Sequence, residues 1–398
     1  LMGIFLIYDV TGTLFFAELT DMSLFAVQSS PRLWAAGLCL LFGFGAKAGA
    51  FPLHIWLPKA HPVAPAPASA LLSGILTKAG MYGILILTAY LFWGNAAWGG
   101  MILIIGVFTM VIGALLALFC VDLKRTLACS SVSQIGFILV GVGMSGLLGS
   151  ENAVAWRGSL LHMVNHSLIK LVLFMAAGVV FMNVHKLNLN DIRGFGHKKP
   201  LLNYIFLTGA LGIGGVPLFN GYISKTLIHE SIVEYVFSIN AGIIPAFFSA
   251  TFMNAVEWMF LISGGLTAAY MAKLYVCLFV EKNTDSSVQK KYDDLKGKYM
   301  NRTSALALTV SATLLPAGGL FPGIVMDSVA DLGQGFLRVN TIEKTAYFTP
   351  ANLRGALISL VLGALVYGFV VRLAVMKKNG EEKRKHYADR WPVWLDLE

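Results

Sequence analysis

Long runs of apolar residues alternate with short polar stretches along most of this chain. A helix needs roughly 20 apolar residues to cross a bilayer. The runs predict one half-helix at about 1–8, followed by nine spans at about 33–57, 66–92, 98–121, 127–149, 158–183, 201–235, 254–280, 303–323 and 353–376. The opening LMGIFLIY is too short to span and reads as the end of a helix in a longer chain. The closing WPVWLDLE carries no clear stop signal. The pattern predicts an all-α polytopic membrane protein, one transmembrane domain over 1–398.

Two of these spans are interrupted. The first holds Pro52 and Pro58 in FPLHIWLPK; the second holds Gly212, Gly214, Gly215, Pro217 and Gly221 in LGIGGVPLFNGYISK. Proline removes a backbone donor and crowds the preceding turn. Such breaks survive at membrane depth where protein or water satisfies the freed groups. The pieces echo each other: Phe51-Pro52-Leu53 with Lys59, and Val216-Pro217-Leu218 with Lys225. They lie an odd number of spans apart, so their helices run in opposite senses. Paired broken helices in two inverted halves point to a transport site.

Composition agrees with this reading. The 398 residues are 57% hydrophobic and 13% charged, against about 25% charged in soluble domains. The net charge of +9 does not point to nucleic acid, because the basic residues are sorted by loop. One alternate set carries Lys59, Lys124, Arg125, Lys186, Arg193, Lys198, Lys199, Lys282, Lys290, Lys291, Lys296, Lys298 and Arg302. Its tail adds Lys377, Lys378, Lys383, Arg384, Lys385 and Arg390. The other set carries only Arg32, Arg157, Arg338 and Lys344. The positive-inside rule then puts the first set and the tail in the cytoplasm. Cys39, Cys120, Cys129 and Cys277 are scattered, with no CxxC, so no iron–sulfur, zinc or nickel site is expected. Any electrons must be carried by another subunit.

The candidate chemistry is a series of cations inside the spans: Lys47, Lys78, Lys170, Lys225 and Lys273. A cation at bilayer depth costs about 2.5–3.5 kcal/mol on insertion scales. Such a series suggests a path for protons or small cations. Lys47 and Lys78 sit near mid-span, where a buried lysine poised between desolvation and a carboxylate can take and release a proton. His162, His166 and Lys170 follow at i, i+4, i+8 on one helical stripe and suggest a relay, since histidine titrates near neutrality. The alternative is two histidines bonded to neighbouring helices. HMVNH lacks the glutamate of a zinc HExxH site. Lys225 follows the second break, where freed carbonyls or surface water would surround it. Lys273 is expected to snorkel to the nearby loop. Asp122-Leu123-Lys124-Arg125 reads as a capped turn. Glu230, Glu234 and Glu257 are expected to face water, with an exit funnel as the alternative. The segment 281–302 reads as a solvated or partner-docking loop.

These residues carry a family likeness. Lys47, the run Pro52-Leu53-His54-Ile55-Trp56-Leu57-Pro58, then His61, Pro65, Ser69, Lys78 and Tyr82-Gly83 closely resemble the signature of the antiporter-like proton-translocating subunits of respiratory complex I. Asp122-Leu123-Lys124-Arg125 with Ser130-Ser131-Val132-Ser133-Gln134-Ile135-Gly136 resembles their next signature. So do His162, His166 and Lys170, and Gly221-Tyr222-Ile223-Ser224-Lys225. The wording GFGAKAG, APAPASALLSG, DIRGFG and FNGYISKTLIHES resembles most the large membrane subunits of energy-converting nickel–iron hydrogenases of the formate-hydrogenlyase and hydrogenase-4 type. Multi-subunit cation/proton antiporters share that ancestry.

The resemblance implies two inverted five-helix repeats, each with a broken helix. Residues 1–97 would end the first, 98–280 would form the second, and 281–398 would add C-terminal helices. Lys47 would match the family's key lysine, paired with a glutamate upstream of residue 1. Lys78, His162, His166 and Lys170 would match the central relay, and Lys225 the lysine near the exit. The implied partners are other membrane subunits and peripheral redox subunits in a prokaryotic cell membrane, with no cofactor in this chain. The leading expectation is a proton-translocating subunit of a hydrogenase or NADH-dehydrogenase type complex. It would be part of an enzyme only by membership in that complex. The alternatives are a sodium/proton antiporter subunit and a passive anchor that docks redox subunits through loops 184–200 and 281–302.

Overall fold

The computed structural model describes residues 1–15, 18–19, 30–337, 345–378 and 385–391. Arg338, Lys344, Lys383 and Arg384, the side chain of Lys296 and the end of the tail after Trp391 lie outside the described residues.

The chain folds as a helix bundle. The elements are α1 (Met2–Thr11), α2 (Pro31–Ala48), α3 (Trp56–Val63), α4 (Ala66–Leu91), α5 (Ala96–Phe119), α6 (Leu123–Leu148), α7 (Ala153–Val184) and the one-turn α8 (Leu189–Ile192). They continue with α9 (Pro200–Gly214), α10 (Asn220–Asn240), α11 (Ala250–Val280), α12 (Ser286–Asp294), α13 (Arg302–Leu320), α14 (Pro322–Leu337) and α15 (Pro350–Val375). Seven of these are long and apolar enough to cross a membrane: α4, α5, α6, α7, α11, α13 and α15. The other two expected spans are the broken ones, now α2/α3 and α9/α10. A two-stranded ribbon, β1 (Met376–Lys378) with β2 (Lys385–Tyr387), closes the described chain.

Local chemistry sets the ends of these helices. Pro31, Pro200 and Pro350 open α2, α9 and α15, where the missing N–H is not needed. Asn95, Asp122, Ser249 and Thr349 accept a backbone N–H at the starts of α5, α6, α11 and α15.

Helix α6 is the axis of the bundle: every residue except Arg125 is buried. It packs on α5 along a seam of small residues. Gly99, Gly106 and Gly113 recur every seven positions on α5. They face Gly146, Val140 and Ser133 of α6, while Gly136 and Gly143 return the contact against Met110 and Leu103. A Cβ on Gly106 would lie 2.7 Å from the Val140 backbone nitrogen. Lipid supplies no hydrophobic drive between helices, so such close backbone approach is what holds them.

The structure corrects the sequence reading in one place. The expected loop 324–352 begins with a helix, α14. Its buried residues Met326, Ala330, Gln334 and Leu337 form one stripe, and it is shorter and more polar than a span. The two polar loops 184–200 and 281–302, both weighed as docking surfaces, pack on each other. Lys199 Nζ donates to Phe195 O at 2.7 Å and Tyr292 O at 2.8 Å. Arg193 pairs with Glu281 at 3.1 Å, and Lys198 with Asp293 at 3.2 Å. The terminal ribbon docks there too, with Asn190 Nδ2 donating to Tyr387 O at 2.9 Å.

Candidate functional site: a buried lysine–histidine row

The site lies where α4, α6, α7 and α10 meet. Lys78, His162, His166, Lys170 and Lys225 are all buried there, and Lys170 and His166 are fully enclosed. Lys78 and Lys225 each meet a backbone carbonyl that a local irregularity has set free.

For Lys78 the irregularity is a wide turn in α4 over Leu72–Leu76. There Thr77 N–H reaches back to Leu72 O instead of Ser73 O. Ser73 O is left to accept Lys78 Nζ at 2.6 Å and Thr77 Oγ1 at 2.9 Å. Such turns mark functional sites in helices. For Lys225 the irregularity is Pro217. In an unbroken helix Ile213 O would accept the N–H of residue 217, which proline lacks. Lys225 Nζ donates to Ile213 O at 2.7 Å instead, with the Phe137 ring 4.6 Å away. Leu218, in the same break, holds a left-handed φ of 73°. That costs a non-glycine residue about 1–2 kcal/mol.

The row is joined by polar side chains. Lys78 Nζ lies 2.6 Å from His166 Nδ1. On the other side Ser73 Oγ meets Ser131 Oγ at 2.7 Å, and Ser131 donates to Leu127 O at 3.0 Å. That carbonyl also accepts Lys170 Nζ at 2.7 Å. His166 and His162 stack at 6.3 Å between centroids without a direct hydrogen bond. His162 Nε2 meets Gln134 Oε1 at 3.1 Å and its Nδ1 meets Ser224 Oγ at 2.9 Å, next to Lys225. The stripe His162, His166, Lys170 thus exists, but its members hydrogen-bond to different helices rather than to one another.

Lys47 stands apart from this row. It lies exposed in the last turn of α2, ahead of Gly49 and the break at Pro52. Among the described residues it has no hydrogen-bond or ion-pair partner. Pro58 is buried near the start of α3, and Pro217 lies between α9 and α10.

Several groups escaped the sequence reading. Lys273, expected to snorkel, is fully buried. Its Nζ donates to Ala117 O, Leu118 O and Cys120 O at 3.0, 2.8 and 2.6 Å, which caps the end of α5. Lys124, read as part of a simple turn, is buried and donates to Ala64 O at 2.8 Å. Glu257, expected to face water, is partly exposed and in addition meets His229 Nε2 at 3.0 Å. The connectors Ser73, Ser131, Gln134 and Ser224 had one available signal, a polar uncharged residue inside an apolar run.

The family model described as "NADH:quinone oxidoreductase/Mrp antiporter, TM" matches residues 1–253. The chain is 37% identical over 278 residues to hydrogenase-4 component B of Escherichia coli strain K12, covering 68% of this chain and 40% of that protein. It is 34% identical over 271 residues to formate hydrogenlyase subunit 3 of the same organism, covering 66% and 43%. The chain thus spans about two fifths of the length of these curated relatives. A solved structure of the Mrp complex from Dietzia sp. DQ12-45-1b superposes with a TM-score of 0.68 at 22% identity, over 91% of this chain and 66% of that one, and shows the shared fold. By its family match, this integral membrane chain belongs to the NADH:quinone oxidoreductase/Mrp antiporter transmembrane family.

Proposed function

We propose that this chain is the ion-conducting part of a proton-translocating, antiporter-like subunit in a membrane-bound redox complex of hydrogenase or NADH-dehydrogenase type. The observation that carries this reading is the buried row from Lys170 through Lys78 and His166 to His162 and Lys225. A passive anchor has no use for cations kept at this depth.

In this reading, charge movement elsewhere in the complex changes the field at the row. Lys78 and His166 exchange a proton directly. The two imidazoles pass it across their 6.3 Å gap through water, and Ser224 orients His162 beside Lys225. Lys225, held at the Pro217 break, is the releasing end. The exposed Lys47 is the control point, met by a carboxylate from a neighbouring helix. The two broken helices α2/α3 and α9/α10 belong to inverted repeats, with residues 1–97 closing the first, 98–280 forming the second and 281–398 adding helices. The face holding loops 184–200 and 281–302 is cytoplasmic, following its excess of lysine and arginine. The partners are other membrane subunits and peripheral redox subunits.

The test is proton uptake by inside-out vesicles holding the complete complex during electron turnover, wild type against Lys78→Ala, with and without sodium. Loss of uptake in the variant, with sodium irrelevant in the wild type, supports the redox-driven pump. Sodium-dependent uptake favours the antiporter reading, which the fold shared with the Mrp complex keeps open. Full uptake in the variant sinks the relay.

A further inference from the structure

Beyond Lys225, on the side of the 241–249 connection, a small cavity of about 40 Å³ is bounded by Lys225, His229, Tyr222, Phe260, Gly355 and Ser359. It exceeds the space one water needs. His229 lies one turn past Lys225 on α10, so both side chains share a face. Its Nε2 meets Glu257 Oε1 of α11 at 3.0 Å. Its Cε1–Nδ1 edge faces Gly355 of α15. A Cβ built there would lie 3.3 Å from Cε1 and 3.5 Å from Nδ1, so the glycine leaves the imidazole its room. Exposure rises along this line. Lys225 is 7% exposed, the His229 side chain 14% and the Glu257 side chain 29%. The half-buried Glu230 is the next residue on α10, with Oε2 unpartnered among the described residues.

We infer that His229 and Glu257 form the terminal proton-transfer pair of the row, carrying protons from Lys225 to the aqueous face at the 241–249 end. The inference rests on the relay reading above. The Lys225 ammonium gives a proton to water in the cavity, and that water protonates Nδ1 of the neutral imidazole. The imidazolium releases its Nε2 proton to the Glu257 carboxylate, which passes it to bulk water. The imidazole returns to its starting tautomer by a ring flip or by reprotonation. One proton moves and no electron is transferred. The group is positioned by three helices, two of them outside the row itself.

The experiment uses inside-out vesicles with the complete complex, an acridine pH dye and electron turnover, with assembly checked by immunoblot. Four variants are compared: Lys225→Ala, His229→Gln, His229→Gly and Glu257→Gln. The expected result is that Lys225→Ala and His229→Gln each lower uptake by about tenfold or more. Glu257→Gln lowers it less, because Glu230 lies nearby. Imidazole added to the compartment at the 241–249 face restores uptake in His229→Gly. Uptake retained in Lys225→Ala overturns the relay reading itself. Uptake lost in Lys225→Ala but kept within about twofold in His229→Gln overturns only the terminal pair. Loss in both His229 variants without imidazole rescue also overturns it, since a purely structural histidine gives that pattern.

Discussion

Lys78 Nζ and His166 Nδ1 stand 2.6 Å apart, on helices whose contacting residues are 88 positions apart in the chain. An ammonium that donates to a neutral imidazole shares one proton between two bases. That contact is the only direct link between the α4 and α7 titratable groups among the described residues, and it sets the first prediction. Lys78→Met and His166→Gln should each lower proton uptake by about 100-fold. The double variant should be no worse than either, because the two act in series. Dye quenching in vesicles of the complete complex measures this. Additive losses would show that the two groups serve separate routes.

Arg157 ties the unexpected helix α14 to α7. It is 4% exposed and donates to Asp327 at 2.5 Å and Asp331 at 2.9 Å. Asp327 also accepts the Tyr347 hydroxyl. Removing one partner of a buried pair costs about 3–5 kcal/mol. Asp331 is largely solvated, so Arg157→Ala should cost about 3 kcal/mol or less. Hydrogen exchange in α14 should rise well before that in α6. Equal protection of α14 in the variant would remove the latch role.

The α5–α6 seam tolerates no side chain at its centre. Gly106→Leu should separate the helices, or cost at least about 1–3 kcal/mol by overpacking. Gly43, with nothing within 4 Å of a built Cβ, is the control: Gly43→Ala should leave the melting temperature of the detergent-solubilised protein unchanged or slightly raised. A stable Gly106→Leu protein would contradict the packing.

Lys199, outside the spans, is pulled down to about 8 by burial, against an opposing attraction from Asp293. The unfolded chain therefore binds more protons than the folded one between about pH 8 and the ordinary lysine range. Stability contributed at this site should rise with pH across that window and be flat below it. Lys199→Met should abolish the rise, as followed by thermal melts at pH 7 to 10. An unchanged pH slope in the variant would assign it to another group.

Much of the fold was legible in the sequence, for reasons specific to each element. Seven spans are long apolar runs, and the two broken ones contain prolines. Helix α14 was not legible, because its stripe of Met326, Ala330, Gln334 and Leu337 acquires meaning only against α7 and α10. Lys273 was misread for a similar reason. Its distance from the loop along the chain suggested snorkelling, whereas the end of α5 offers three carbonyls nearer than water. The titratable members of the row were visible as costly cations; their connectors were not.

The sequence by itself determined the spans and the breaks. Span length follows from bilayer thickness, and a break follows from the N–H that Pro217 lacks, both properties of a local segment. Only the tertiary structure decided what each cation meets. Ser73 O is freed by a wide turn with no fixed signature, and Lys170 shares Leu127 O with Ser131. Lys47 is left on an open face. These outcomes depend on ångström distances between segments far apart in sequence. Periodicity carries no information about such distances, and in a low-dielectric interior they govern where a proton can rest.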